Sequence, residues 1–446
     1  MNSEVIQISH VDFDFETYAY RAPMKFGGMV VKQVTVLNVH CALSNANGTT
    51  AQGFGSMPMG NVWSFPSKCL SYEQTLEAML RLVDQIAPLW RDFGEMLHPV
   101  QVGFAQESRV IESARRVTAE LQLPEPIPAL CALVASSPFD AAIHDAFGKL
   151  YGRSVYELYG KDHLQTDLGN FLGSDFNGLF LDKFVSAAPK ATMPLYHLVG
   201  GLDPVDPPER LIGDGLPEHL AEWIRAEGLS HLKIKLDGRD LVWDVHRVAD
   251  VHRVGQSTDR NRDWKYSLDF NERCETPDYV TEFIERLGEV SPRALELVQY
   301  IEQPTPRDLE AHRDQRYHTI SKQIPVVIDE SLIGLESLML ARELGYSGCA
   351  IKACKGQTQS LLMGAAAQKL EMFLSVQDLT CPGASLIQSA GLAAHLPGVA
   401  AIEANARQYV PAANVGWAEQ FPGIFRPRNG VLETRLITGP GLGATP

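Results

Sequence analysis

Along the chain, apolar and polar positions change period twice. Met29 to Leu43 is a long run rich in β-branched residues, and Thr50 to Ser56 can pair with it across Asn45-Ala-Asn-Gly48. From Tyr72 to Phe93 the period becomes helical, with Leu76, Met79, Leu80, Leu82 and Val83 on one stripe. Ser108 to Leu121 and Ser136 to Leu150 read as further helices. The pattern then turns to short apolar runs separated by helical stretches. The first is Pro194 to Val199, and others follow at Lys233, Ser267, Val298, Val326, Ala350 and Phe373, ending near Ala401 to Ala404. Eight such runs suit a closed parallel barrel of βα units.

Several of these runs end in a charge. Lys235 closes His231-Leu-Lys-Ile-Lys, Asp269 closes Ser-Leu-Asp, Glu302 closes Tyr-Ile-Glu, Asp329 follows Val-Val-Ile, and Lys352 follows Cys-Ala-Ile. The intervals between them are 34, 33, 27 and 23 residues, each about one strand, one helix and two loops. A strand alternates its faces, so Lys233 and Lys235 point one way and Ile234 the other. Lysine is seldom buried without a partner, and catalytic groups of such barrels sit at the C-terminal ends of strands. Each charge alone reads as a surface group or a helix cap. In register, they read as one site.

The fold class is therefore α/β, a (β/α)8 TIM-type barrel with an N-terminal α+β capping domain. The expected division is 1–160 for the cap, 161–192 for an inserted connection or lid, and 193–410 for the barrel. A C-terminal segment, 411–446, is expected to pack back on the cap. A chain of 446 residues with a formal charge of −15 lacks the basic surface that nucleic acid or an anionic membrane demands. Seven scattered cysteines, no positively charged leader and no apolar stretch of membrane-spanning length point to the cytoplasm. The expected partners are a small-molecule substrate and further copies of the same chain.

Taken in order, the motifs resemble the enolase superfamily, in its mandelate racemase/muconate lactonizing enzyme branch and the muconate-lactonizing subgroup. They are Ser137-Pro-Phe-Asp-Ala-Ala-Ile-His-Asp-Ala-Phe-Gly-Lys149, Lys-X-Lys, Asp-X-Asn, Glu-Gln-Pro, Asp-Glu-Ser, Ile-Lys and Gly439-Pro-Gly-Leu-Gly443. The resemblance implies Asp269, Glu302 and Asp329 as ligands of Mg²⁺, with Mn²⁺ able to substitute. It implies Lys235 and Lys352 as acid/base groups on opposite faces of the substrate, with Lys233 against its carboxylate. Asn271 and Glu330 would support this set, Asn271 also facing the substrate. Asp378 and Glu403, ending the seventh and eighth runs, are candidate substrate contacts, with a salt bridge at the barrel mouth as the plainer reading. The loops Tyr18–Pro23 and Met57–Trp63 resemble those that close the family's site.

Removing a proton α to a carboxylate builds an enediolate, whose second negative charge a hard cation and nearby ammonium groups offset. The favoured reaction is racemisation, epimerisation or cycloisomerisation; the alternative is β-elimination from a sugar acid or hydroxy-amino acid. A non-catalytic, metal-stabilised binding protein is the remote third. Lys355, three residues beyond Lys352 where the subgroup usually has a Gly-Gly pair, rivals it as the second base. The seventh run, Ser375-Val-Gln-Asp378, lacks the histidine of a mandelate racemase-type base. His246 and His252 read as solvated, and Cys354 and Cys381 as inert.

Overall fold

A computed structural model describes residues 4–26 and 29–444. Three antiparallel strands, β1 (Ile6–Phe26), β2 (Met29–Asn45) and β3 (Thr50–Pro58), form a sheet in that order. The β2–β3 hairpin lies where the hydrophobic pattern puts it. The long β1 does not announce itself, because Asp12, Asp14 and Glu16 alternate along its solvent face. Tyr18–Pro23, expected as a loop, belongs to β1, and pairing with β2 shifts register between Ala19 and Met24. Pro23 explains the break, since proline offers no N–H to a ladder.

After a short α1 (Asn61–Ser64), three long helices cover the sheet. They are α2 (Tyr72–Arg91), α3 (Pro99–Glu120) and α4 (Ala129–Leu150). Ser71 caps α2 with a Gln74 capping box. Helix α3 starts well before Ser108 because the His98 side chain caps it and Pro99 takes its first turn. Helix α4 likewise starts before Ser136. It is buried on nearly every side, so its sequence shows no amphipathic period.

The barrel strands are β4 (Met193–Val199), β5 (His231–Lys235), β6 (Lys265–Asp269), β7 (Val298–Glu302), β8 (Val326–Ile328), β9 (Gly348–Ile351), β10 (Phe373–Val376) and β11 (Val399–Glu403). All eight run parallel, each beside the next, and β11 pairs with β4 to close the ring. β12 (Val431–Leu432) adds antiparallel to β4. Inside, Tyr196, Tyr300, Val327, Ala350 and Ala401 pack as an apolar plug with Phe373 against it. The cap docks on the mouth through Met24, Val34 and Val36, which meet Leu198, Tyr409 and Val410. The stretch 161–192 binds the C-terminal end of the barrel helix Ala384–His395, Ser186 N–H donating to His395 O and Lys190 N–H to Ala394 O. Near the C-terminus, Leu442 N–H donates to Asp145 of α4 at 2.9 Å.

Candidate active site

The plug sets a floor, and the next layer toward the cap is charged. Alternation along β5 turns Lys233 and Lys235 into the barrel, and the register Lys235↔Asp269 and Asp269↔Glu302 carries the layer across β6 and β7. Asp329 follows β8, Lys352 follows β9, Asp378 follows β10 and Glu403 ends β11. Lys233, Asp269, Glu302 and Asp329 are each 1% exposed. The order of strands fixes a relation that spacing alone could not: β5 and β9 are opposite each other in the ring. Lys235 and Lys352 therefore face one another across the mouth, with the three acids on the arc between them.

The charges are paired. Lys233 Nζ donates to Glu302 at 2.8 Å and Glu403 at 2.9 Å, and lies 3.2 Å from Asp269. Lys235 Nζ donates to Asp269, and Lys352 Nζ is 2.8 Å from Asp329. Lys355, fully enclosed, donates to the Asp329 backbone carbonyl at 2.6 Å. Gln377, which the sequence did not single out, donates to Glu302. Gln303, with φ +29, accepts from Asp329 N–H at 3.0 Å and so fixes the loop after β8. Asn271, also at positive φ, donates its N–H to Asp269 at 2.8 Å. It lines a cleft of about 370 Å³ with Lys235, Lys25, Trp243 and Arg273. Glu403 makes the salt bridge to Lys233 that was its plainer reading, and accepts from Asn405 at 3.1 Å. Asp378 accepts backbone N–H groups from Thr380, Cys381 and Asn405. Glu330, the residue after Asp329, accepts from the Trp63 indole at 3.0 Å.

Burial and crowding shape the protonation of this layer. Burial, then the charge of Asp269, pushes Glu302 up to about 8. Burial favours a neutral Lys233, yet Glu302, Glu403 and Asp269 outweigh it and hold the ammonium well above its usual range. Lys352 is raised in the same way, with Asp329 overcoming burial. Lys355 goes the other way: burial, with Lys352 close by, lowers it against the pull of Asp329. Asp378 is pushed up to about 7 by burial and Glu403. Among the described residues, no three His, Cys, Asp or Glu side chains converge as a ready metal cage, because each acid reaches for an ammonium. The donor chemistry nevertheless fits a hard divalent cation. Three carboxylates on adjacent strands repel one another, Glu302 is held back from ionising, and added positive charge relieves both effects.

Outside this layer, His252 is half-buried and bonds Tyr266 Oη at 2.9 Å, so it is not the solvated residue expected. Cys354 is buried and its thiol is pushed up to about 12 by burial, and burial likewise holds Cys381 well above its usual value.

A closed (β/α)8 barrel whose strand ends carry this charged layer beneath an α+β cap defines an enolase-type barrel. The family model described as enolase C-terminal domain-like matches residues 215–446, more than half of the 446. The chain belongs to that family, and with it to the enolase superfamily of enzymes. No curated protein matches the sequence. A dipeptide epimerase from Enterococcus faecalis V583, crystallised with Mg and L-Leu-L-Tyr, is similar at 16% identity over 98% of this chain and 99% of that one (TM-score 0.63). An enolase from Bradyrhizobium, crystallised with magnesium and mandelic acid, is similar at 18% identity over 99% and 96% (TM-score 0.60). A muconate lactonizing enzyme from Pseudomonas fluorescens, complexed with muconolactone, is similar at 16% over 98% and 96% (TM-score 0.59). At such identities the likeness speaks for the fold. No helix among the described residues is long and apolar enough to cross a membrane.

Proposed function

We propose that the protein is a Mg²⁺-dependent enzyme that removes the α-proton of a carboxylate substrate, using Lys235 and Lys352 as the acid/base pair. The observation that carries this is their placement on opposed strands, with Asp269, Glu302 and Asp329 between them. A substrate seated in the mouth has one amine on each face. One amine takes the α-proton and the other returns a proton from the opposite side, which inverts the carbon. A base must be neutral to accept a proton. Asp269, Glu302 and Asp329 would hold Mg²⁺, turning from the lysines to do so. The bound cation would offset the negative charge that builds on the substrate carboxylate as the proton leaves. The apolar plug and the docked cap keep water from the reacting carbon.

Lys352 is the better second base on geometry, because its amine pairs with the Asp329 carboxylate while that of Lys355 is tied to main chain. The reaction class we favour is racemisation or epimerisation, with cycloisomerisation using the same pair. A second reading has one specific support. Asp378, held near 7, could protonate a leaving β-hydroxyl, which elimination needs.

The test is NMR in D₂O with Mg²⁺ over sugar acids, amino acids, dipeptides and lactones. Wild type is compared with Lys235→Ala and Lys352→Ala. α-Deuteration with inversion, lost in both variants, supports the isomerase, and an elimination product supports the second reading. No exchange from a folded, metal-loaded protein with any acid removes the proposal, and absence of Mg²⁺ binding removes the metal as well.

A further inference from the structure

The cap sends one aromatic residue into the charged layer. Trp63, on α1, is 4% exposed. Its ring faces Lys352 Nζ at 4.5 Å and Lys355 Nζ at 5.6 Å from the centroid. Its indole N–H donates to Glu330 Oε1 at 3.0 Å. The other oxygen, Glu330 Oε2, is buried with no protein partner among the described residues. The wedge that seats Trp63 is close-fitting. A Cβ on Gly60 would lie 2.7 Å from Leu379 Cδ2, in the loop after β10. Thr380, next in that loop, is held at φ +55.

We propose that Trp63 is a positioning residue for Lys352, through which docking of the cap completes one of the two faces of the site. The inference rests on the acid/base role proposed for Lys352. An ammonium over an indole face is attracted to it, most strongly where water is excluded. The indole N–H meanwhile fixes the ring on the residue after Asp329, the acid that grips Lys352 from the other side. Lys352 is thus held between a carboxylate of the barrel and a π-face of the cap. Lys235 stands on the opposite strand of the ring.

Two variants separate the two contacts. Trp63→Phe keeps an aromatic face and loses the N–H to Glu330. Trp63→Leu loses both. Full-length proteins are labelled by reductive methylation with formaldehyde, and each lysine is followed by peptide mass spectrometry. Lys352 should be methylated about fivefold faster in Trp63→Leu, and by less in Trp63→Phe, with Lys235 unchanged. Equal rates for Lys352 in all three proteins, or a matching rise at Lys235, overturn the proposal. If Trp63→Leu does not fold, Trp63→Phe decides alone. A second arm uses any acid that exchanges with wild type in D₂O. Exchange from the Lys352 face should fall in Trp63→Leu, recover in part in Trp63→Phe, and stay unchanged from the Lys235 face. Equal loss from both faces overturns the proposal. Absence of wild-type exchange counts against the enzyme reading, and the labelling result still stands by itself.

Discussion

Lys355 Nζ lies 2.6 Å from the backbone carbonyl of Asp329, while Lys352 Nζ lies 2.8 Å from the Asp329 carboxylate. The first contact ties the turn after β9 to the main chain after β8, and the second joins side chains alone. Removing Lys355 leaves a buried carbonyl without its partner and half-frees a buried carboxylate. Lys355→Met should therefore cost about 3 kcal/mol in urea denaturation, and Lys352→Met clearly less. In the D₂O assay the order reverses, with exchange from one face vanishing in Lys352→Met. A Lys355→Met protein as stable as wild type would show that the anchor is not one.

Metal binding should depend on pH through Glu302. Its carboxyl is pushed up to about 8, so below that value the cation must displace a proton. Mg²⁺ affinity measured by calorimetry is expected to rise from pH 6 to pH 8 and then level off, with proton release on the acid side. Glu302→Gln should flatten this profile and weaken binding; Asp269→Asn should weaken binding and keep the slope. Saturation at about 100 times Kd should add about 2.7 kcal/mol to stability. An affinity that ignores pH across this range would remove Glu302 from the ligand set.

A second pH effect sits far from the charged layer. His98 Nδ1 accepts the Val100 N–H at 3.2 Å at the start of α3, and Nε2 faces Leu158 O at 3.1 Å. Both bonds are satisfied only by the neutral ring protonated on Nε2. Burial lowers its pKa to about 3. The unfolded chain, titrating near 6.5, takes up the proton first, so stability is present above about 6.5 and is lost as pH falls toward 3. At pH 5 the loss is about 2 kcal/mol. His98→Asn keeps a good cap without a titrating ring, and should flatten this part of the stability profile between pH 6.5 and 4. An unchanged slope in that variant would mean the acid sensitivity lies elsewhere.

The barrel was legible because most of its strands repeat one signature, an apolar run closed by a charge, and because alternation alone puts Lys233 and Lys235 on one face. The pairing of charges was not legible. That Lys233 would serve three acids at once, or that Gln377 would reach Glu302, depends on which strands the closed ring brings near. Trp63 was visible only as part of a loop, since its contact with Lys352 comes from how the cap seats. β1 and the first turns of α4 failed for opposite reasons. One exposes a polar face along its whole length; the other is apolar on every side, so neither has the contrast a periodic reading needs.

That burial of α4 leads to the sharpest stability prediction. Helix α4 lies so close to β3 that a Cβ on Gly55 would stand 2.0 Å from Pro138 O, and one on Gly53 2.1 Å from Ala142 O. Both obstacles are helix backbone, which cannot turn aside as a side chain could. Pro138 adds to the rigidity, and its missing N–H is answered locally by the Ser137 hydroxyl, which donates to Val134 O at 2.9 Å. Gly55→Ala must push the sheet off the helix, and about 3 kcal/mol is the expected loss. Gly94→Ala meets nothing within 4 Å and should stay within about 0.5 kcal/mol of wild type. Because β3 runs directly into the turn that carries Trp63, the Gly55→Ala shift should also speed methylation of Lys352, and Gly94→Ala should not. A melt of Gly55→Ala that superimposes on wild type would mean that sheet and helix are not packed backbone to backbone.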